Sequence, residues 1–151
     1  MLINEKEYRG LGMERSEKAV GYKHSRCNCC QAVLLSFADE LGLDEETLMK
    51  IGACYGAGMG GMGATCGALC GAEIVQGMKL YEGRPMHRQS RELYSKFEEA
   101  AGATICKDLK GAETGVVLCS CDDCVRYAVE LVEKMDELTY QREMKRDNFI
   151  R

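Results

Sequence analysis

Ten cysteines stand in a chain of 151 residues that has two histidines and no tryptophan, so the chemistry within its reach is sulfur chemistry. Eight of the ten fall in three tight groups: Cys27, Cys29 and Cys30; Cys66 and Cys70; Cys119, Cys121 and Cys124. Cys54 and Cys106 stand alone. Cys29 and Cys30 follow Asn28, a helix-capping type, and Cys66 follows Thr65 in the same way. A thiol in the first turn of a helix meets free backbone N–H groups and the positive end of the helix dipole, both of which favour the thiolate. Metal binding and disulfide exchange alike need that form.

Three chemistries use such sulfurs. Zinc takes a closed tetrahedral set of four cysteines. An iron–sulfur cluster takes the same ligands and gives a role to the glycines as well, since its sulfides accept hydrogen bonds from exposed backbone. A dithiol–disulfide enzyme would use a C-x-x-C pair, either Cys27/Cys30 or Cys121/Cys124, although neither has the βαβ surroundings of the familiar redox motif. Cys54 and Cys119 read best as small buried hydrophobes. Neighbouring residues diverge by about 100° around a helix, so Cys29 and Cys30 should not serve one compact centre. Cys30, Cys70 and Cys124 are therefore assigned to cofactor binding in a second centre or an enlarged cluster, with Cys27 or Cys119 as a fourth ligand; packing is the competing reading.

Other signals carry less. Gly58-Met-Gly60-Gly61-Met-Gly63 fits the dinucleotide pattern, but no strand precedes it and no lysine follows, which argues against nucleotide and phosphate binding. Met59 and Met62 are expected to pack, and His24 and His87 to lie on the surface. With 20 Lys+Arg against 24 Asp+Glu the net charge is −4, so the basic field of a nucleic-acid binder is missing. The longest uncharged stretch, Ile51 to Ala72, is rich in glycine and poor in large aliphatics, a composition wrong for a membrane span. Charges throughout Met1 to Lys18 leave no apolar core for a secretory signal, and the chain is expected to be cytoplasmic. In a reducing compartment such cysteines are working thiols or metal ligands rather than a disulfide framework.

The elements that must position these sulfurs are helical. Apolar residues recur at helical spacing and almost nowhere alternate, so the expected fold is all-α: a compact bundle of about five to six helices with a glycine-rich loop, one cysteine-rich domain over residues 1–151. A charged, frayed leader gives way to a helix from Met13 to His24 with Ala19 and Val20 inward. Asn28 and Gln31 form a capping box for a helix running to Leu41 and ended by Gly42. Asp44 caps the next, which dissolves into Tyr55–Gly63. Thr65 starts a helix from Cys66 to about Tyr81, with Gly67, Cys70 and Gly71 on a smooth face. A fifth spans Met86 to Ala101 with Leu93, Tyr94, Phe97 and Ala100 inside. Thr104 to Leu109 makes a short turn, and Asp122 or Asp123 leads into a last helix to about Met144. The closing run, Tyr140 to Arg151, reads as a solvated helix end able to dock an acidic partner.

Cys66-Gly67-Ala68-Leu69-Cys70-Gly71 matches CGAxxG, and with it the chain resembles the redox-active C_GCAxxG_C_C family. The resemblance also rests on Asn28-Cys29-Cys30-Gln31-Ala32-Val33, on the Gly56–Gly63 stretch, on Cys106-Lys107-Asp108-Leu109 and on Cys121 four residues before Val125. It covers about Met13 to Lys134. It implies a small helical protein with four signature cysteines, here Cys29, Cys66, Cys106 and Cys121, doing redox or metal work. The six further cysteines depart from that pattern. The expectation is an electron-transfer or redox-sensing protein, oxidoreductase or carrier, that holds an iron–sulfur cluster on Cys29, Cys66, Cys106 and Cys121. A metal-free thiol–disulfide oxidoreductase and a zinc-stapled helical binding module are the alternatives. A redox partner protein is expected, nucleic acid and membrane are not, and a homodimer is left open.

Overall fold

Capping side chains decide where three of the helices begin. The computed structural model of the protein describes residues 14–150; the charged leader, Met13 and Arg151 lie outside them. Helix α1, Arg15–Ser25, turns Ser16, Ala19 and Val20 inward. Helix α2, Cys29–Ser36, starts at the capping box: Asn28 accepts the Gln31 N–H at 2.9 Å, and the Gln31 side chain accepts the Asn28 N–H at 2.9 Å. The Asn28 amide also donates to the Gly52 carbonyl at 3.0 Å, which ties this helix start to α4, Glu45–Gly52. Asp44 caps α4 by accepting the Thr47 N–H at 2.8 Å.

One expected helix is two. The run from Asn28 to Leu41 breaks at Phe37 (φ −106°), where a short α3, Ala38–Leu41, takes over and ends at Gly42 in the left-handed region. The break has a chemical cause. The Ser36 hydroxyl donates back to the Val33 carbonyl at 2.7 Å, and the Ser36 carbonyl accepts the Arg15 guanidinium instead of continuing the ladder.

The remaining elements are α5, Gly56–Met59, a single turn distorted by left-handed Ala57 and Gly58; α6, Gly67–Leu80; α7, His87–Ala101; α8, Cys106–Lys110; and α9, Cys121–Ile150. Six of these helices have eight or more residues, and among the described residues there is no strand. Helix α2 packs on α6, α1, α4 and α9, and α9 lies along α1, α6 and α7. Phe37, Leu34, Leu35, Leu69, Leu93, Phe97, Val125 and Val129 are fully buried between them. Each such side chain contributes about 1.5–3 kcal/mol by leaving water.

Two boundaries at the end differ from the sequence reading. Ser120, not Asp122 or Asp123, precedes α9 and accepts the Asp123 N–H at 3.1 Å, and the helix runs on past Met144 to Ile150. On α7 the inward face is Leu93, Phe97 and Ala101, whereas Tyr94 and Ala100 are exposed. Tyr94 lies at the edge because its hydroxyl is hydrogen-bonded to the Thr104 hydroxyl at 2.6 Å. No helix among the described residues is long and apolar enough to cross a membrane.

Candidate functional site

The site begins with a clamp. Thr65 and Ile105 form an isolated antiparallel bridge, in which the Cys66 N–H donates to the Thr104 carbonyl at 2.8 Å and the Cys106 N–H to the Ala64 carbonyl at 3.0 Å. Lys107 N–H adds a bond to the Met62 carbonyl at 2.8 Å. Two cysteines forty residues apart are thereby held on neighbouring backbone. The glycine-rich loop closes under them: a Cβ on Gly58 would stand 2.6 Å from the Cys106 Cβ, and one on Gly67 would stand 2.7 Å from the Tyr55 carbonyl. Ala57, Met59 and Met62 take left-handed backbone in this loop, a conformation that costs a side-chain-bearing residue about 1–3 kcal/mol. Met59, expected to pack, is exposed there.

Cys66 is the cap residue of α6 rather than its first helical residue, because its N–H is already committed to Thr104 and its ψ of 130° is extended. Its sulfur consequently faces the Ala68 and Leu69 N–H groups of the first turn. Cys121 opens α9 after Ser120. The segment between α8 and α9 folds back, since Gly111 is left-handed and presses on the Val116 backbone with no room for a Cβ. Leu118 and Cys119 N–H both donate to the Leu109 carbonyl, at 3.0 and 3.3 Å, which lays Cys119 against α8.

The sulfurs meet in pairs drawn from different elements. The Cys29 thiol on α2 interacts with the Cys121 sulfur on α9, and the Cys66 sulfur at the cap of α6 with Cys124 on α9; Cys124 also interacts with Cys119. The Cys29 thiol lowers Cys121 to about 5, with the Lys110 and Lys23 charges adding to it against the effect of burial. The Cys124 thiol lowers Cys66 to about 7, again against burial and with help from the Ala68 and Leu69 N–H groups and Lys110. Cys29 and Cys124, the donors, are pushed up correspondingly. Cys106 is raised by burial and by the Cys66 charge, while Lys110 opposes the rise.

Lys110 stands at the centre of this group. It lies four residues after Cys106 on α8, so the two share one face. Its Nζ donates to the Cys119 carbonyl at 3.1 Å, approaches the Cys124 Sγ at 3.7 Å and acts on the Cys121 sulfur. Burial pulls its pKa down, but the charges of Cys124, Cys121 and Cys66 outweigh that and raise it, so the ammonium stays protonated. The sequence reading missed Lys110; its spacing from Cys106 was the available signal.

The other cysteines separate. Cys30 and Cys70 lie between α2 and α6 at the point where Gly71 lets the helices close: a Cβ there would stand 2.9 Å from the Val33 Cβ and 3.0 Å from the Cys30 carbonyl. Burial first, then Cys70 and Cys66, push Cys30 to about 12; burial, Cys66 and Glu73 push Cys70 to about 11. Cys66 acts on Cys30 and Cys70 as well as on Cys124, and Cys30, Cys70 and Cys124 form no metal-holding group among the described residues. Cys27 meets the Met49 sulfur at 3.7 Å, and Cys54, expected to be buried, is exposed in the turn after α4. Each thiol of the two C-x-x-C pairs also has a neighbour on another element: Cys27 meets Met49, Cys30 is acted on by Cys70, Cys121 by Cys29, and Cys124 by Cys66 and Cys119. Cys119, expected to pack or to serve as a fourth ligand of a second centre, borders the site. His24 is exposed and bonds to Asp122 at 2.8 Å, beside Cys121. All ten cysteines are free thiols.

In kind, the donors suit a cluster: Cys29, Cys66, Cys106 and Cys121 come from four separate elements, with two backbone N–H groups facing one of them. In arrangement, no three His, Cys, Asp or Glu side chains among the described residues stand together as a metal-holding group.

Residues 27–135, well over half of the chain, match the family described as "Putative redox-active protein (C_GCAxxG_C_C)". The match takes in all four signature positions and Lys110. Among curated proteins and among solved structures nothing matches the chain.

Proposed function

The chain belongs to the C_GCAxxG_C_C family of redox-active proteins, and from that membership we propose that it carries electrons on the sulfurs around Lys110, as a dithiol–disulfide couple whose first pair is Cys29 and Cys121. What supports this reading is the cross-element neighbourhood: the Cys121 sulfur interacts with the Cys29 thiol and with the Lys110 ammonium, which places a candidate attacking thiolate beside a resolving thiol. Cys121 is partly exposed at the start of α9 and attacks one sulfur of a partner's disulfide. The partner's other sulfur leaves and takes up a proton. Cys29 then gives up its proton and attacks the Cys121 sulfur, releasing the partner's second thiol. Two electrons and two protons pass to the partner, and the Cys29–Cys121 bond remains.

Metal-free, fully reduced protein incubated with oxidised glutathione should gain a Cys29–Cys121 disulfide that dithiothreitol reverses. Protein in which all ten thiols stay open to alkylation would overturn the reading.

A second reading rests on the kind of donor at the four signature positions, thiols supplied by four separate elements: an iron–sulfur cluster on Cys29, Cys66, Cys106 and Cys121. Bound there, a cluster would supply one-electron transfer. The four thiolates would bind it, the Ala68 and Leu69 N–H groups would orient toward its sulfur, and the Lys110 charge would offset its negative charge. Protein purified without oxygen should then be brown and contain iron with acid-labile sulfide. A colourless, iron-free chain after careful reconstitution removes this reading, and stoichiometric zinc would favour a zinc-stapled module for partner binding. Iron beyond one cluster per chain would support a second centre at Cys30, Cys70 and Cys124.

A further inference from the structure

Cys124 has two sulfur neighbours, and only one of them belongs to the family's four-cysteine pattern. On one side its thiol interacts with Cys66, on the other with Cys119. The three sulfurs come from different kinds of backbone: Cys66 from the clamped cap of α6, Cys124 from the first turn of α9, and Cys119 from the loop ahead of α9. Cys124 is fully buried, Cys66 is 3% exposed and Cys119 is 6% exposed, so bulky reagents are kept out and the sulfurs have mainly one another to react with. Lys110 spans the outer pair of the three, holding the Cys119 carbonyl at 3.1 Å and the Cys124 Sγ at 3.7 Å. Cys119 is thus kept within reach of Cys124 by the same cation that faces both. Immediately before it, Val116, Val117 and Leu118 are more than half exposed, so the loop leads from the sulfurs directly to solvent.

We propose that Cys66, Cys124 and Cys119 form a three-sulfur exchange chain, in which a disulfide made at Cys66–Cys124 is passed to Cys119–Cys124 and Cys66 is set free again. The proposal rests on the thiol reading of the site. The first bond needs an oxidant small enough for a nearly buried sulfur, and a hydroperoxide meets that condition. The Cys66 thiolate takes an oxygen from it and becomes a sulfenic acid, the peroxide leaving as water or alcohol once protonated. The Cys124 sulfur then attacks the Cys66 sulfur; the hydroxyl departs as water with the Cys124 proton, and the Cys66–Cys124 bond is made. Two electrons have gone to the peroxide. In the exchange step Cys119 loses its proton and attacks the Cys124 sulfur. The Cys66–Cys124 bond breaks, the Cys119–Cys124 bond forms, Cys66 leaves as a thiolate, and the proton that Cys119 gave up passes to solvent. No electrons leave the protein in this second step.

The test uses the full metal-free chain, one equivalent of hydrogen peroxide, acid quenching at intervals, alkylation and tryptic mapping. Cleavage after Lys50, Lys79, Lys110 and Arg126 puts Cys66 in one peptide and both Cys119 and Cys124 in another. The expected course is a cross-link between the two peptides that rises and then decays. As it decays, the Gly111–Arg126 peptide should appear two hydrogens lighter, with fragmentation placing the bond between Cys119 and Cys124. In Cys119→Ser the cross-link should persist, with circular dichroism reporting that the helices are intact. A wild-type cross-link that never decays, with Cys119 always open to alkylation, overturns the exchange chain and leaves the Cys29–Cys121 couple standing. Absence of any bond to Cys66 at any time also overturns it. Because the wild-type course needs no variant, a misfolded Cys119→Ser leaves the test decisive.

Discussion

Arg15 and Lys110 are both cations drawn in from solvent, at opposite kinds of site. Arg15, 9% exposed, holds the two carboxylate oxygens of Asp39 at 2.6 and 3.0 Å, Glu40 at 3.6 Å and the Ser36 carbonyl, and it lies 4.7 Å above the Phe37 ring. Lys110 has no carboxylate in salt-bridge range among the described residues; its partners are one carbonyl and the sulfurs of Cys121 and Cys124. A carboxylate stays ionised through the physiological range, so the Arg15 knot is fixed structure. A thiol is charged only conditionally, and a disulfide not at all. The Lys110 charge therefore acts on which of those states its neighbours adopt, and the same kind of buried cation that staples one region adjusts the chemistry of the other.

Breaking the knot should have the larger effect on stability. Arg15→Met leaves Asp39 and the Ser36 carbonyl without their cation and should cost about 3 kcal/mol in urea unfolding. A loss under about 1 kcal/mol would mean that water replaces the guanidinium freely. The pH dependence has a definite sign. Burial raises the Asp39 carboxyl, but its hydrogen bond and charge pairing with Arg15 bring it below the ordinary 3.8. Its contribution is full above that ordinary value and is lost as pH falls through the depressed one, so the gap between wild type and Arg15→Met should narrow in acid.

Breaking the sulfur pocket should move reactivity more than stability. In Lys110→Met the pH midpoint for Cys121 alkylation should rise from about 5 by about one unit, roughly a tenfold loss of thiolate on the acid side. Lys110→Arg should keep the midpoint near the wild-type value. A Met variant with an unmoved midpoint would remove Lys110 from the chemistry and leave it a loop anchor.

The smallest effect sharpens the contrast by loosening a sulfur-bearing helix without touching its charge. Asn28→Ala removes the cap ahead of Cys29 and should cost about 1 kcal/mol while the Cys121 alkylation midpoint stays in place. A shifted midpoint would show that the cap, as well as Lys110, sets the thiolate.

What could be read from the sequence was local. The capping box at Asn28 and Gln31, Gly42 as a helix stop and Asp44 as a cap each signal over three or four residues, and the helical class follows from them. The break at Phe37 depended on Arg15 reaching across to the Ser36 carbonyl, a contact twenty-one residues away in the chain. The four signature positions were legible through resemblance. Their partners were not, because the cysteines pair between α2 and α9 and between α6 and α9 instead of within a C-x-x-C unit, and no local spacing carries that information. Lys110 was passed over for a similar reason. Its spacing of four from Cys106 is the one local signal, and that alone does not set it apart from a surface lysine until the segment after Gly111 folds back and brings Cys119 and Cys124 to its ammonium.

The bridge between Thr65 and Ile105 also sets a tempo. Cys66 and Cys106 each donate a backbone N–H across it, to Thr104 and Ala64 respectively, so neither amide can reach solvent while the other bond holds the two strands of chain together. Parting them is one event that releases both. In deuterated buffer the two amide protons should accordingly vanish together, at a rate set by how often the floor of the sulfur pocket opens, and that rate is the ceiling on how fast anything that must pass between these two cysteines can enter or leave.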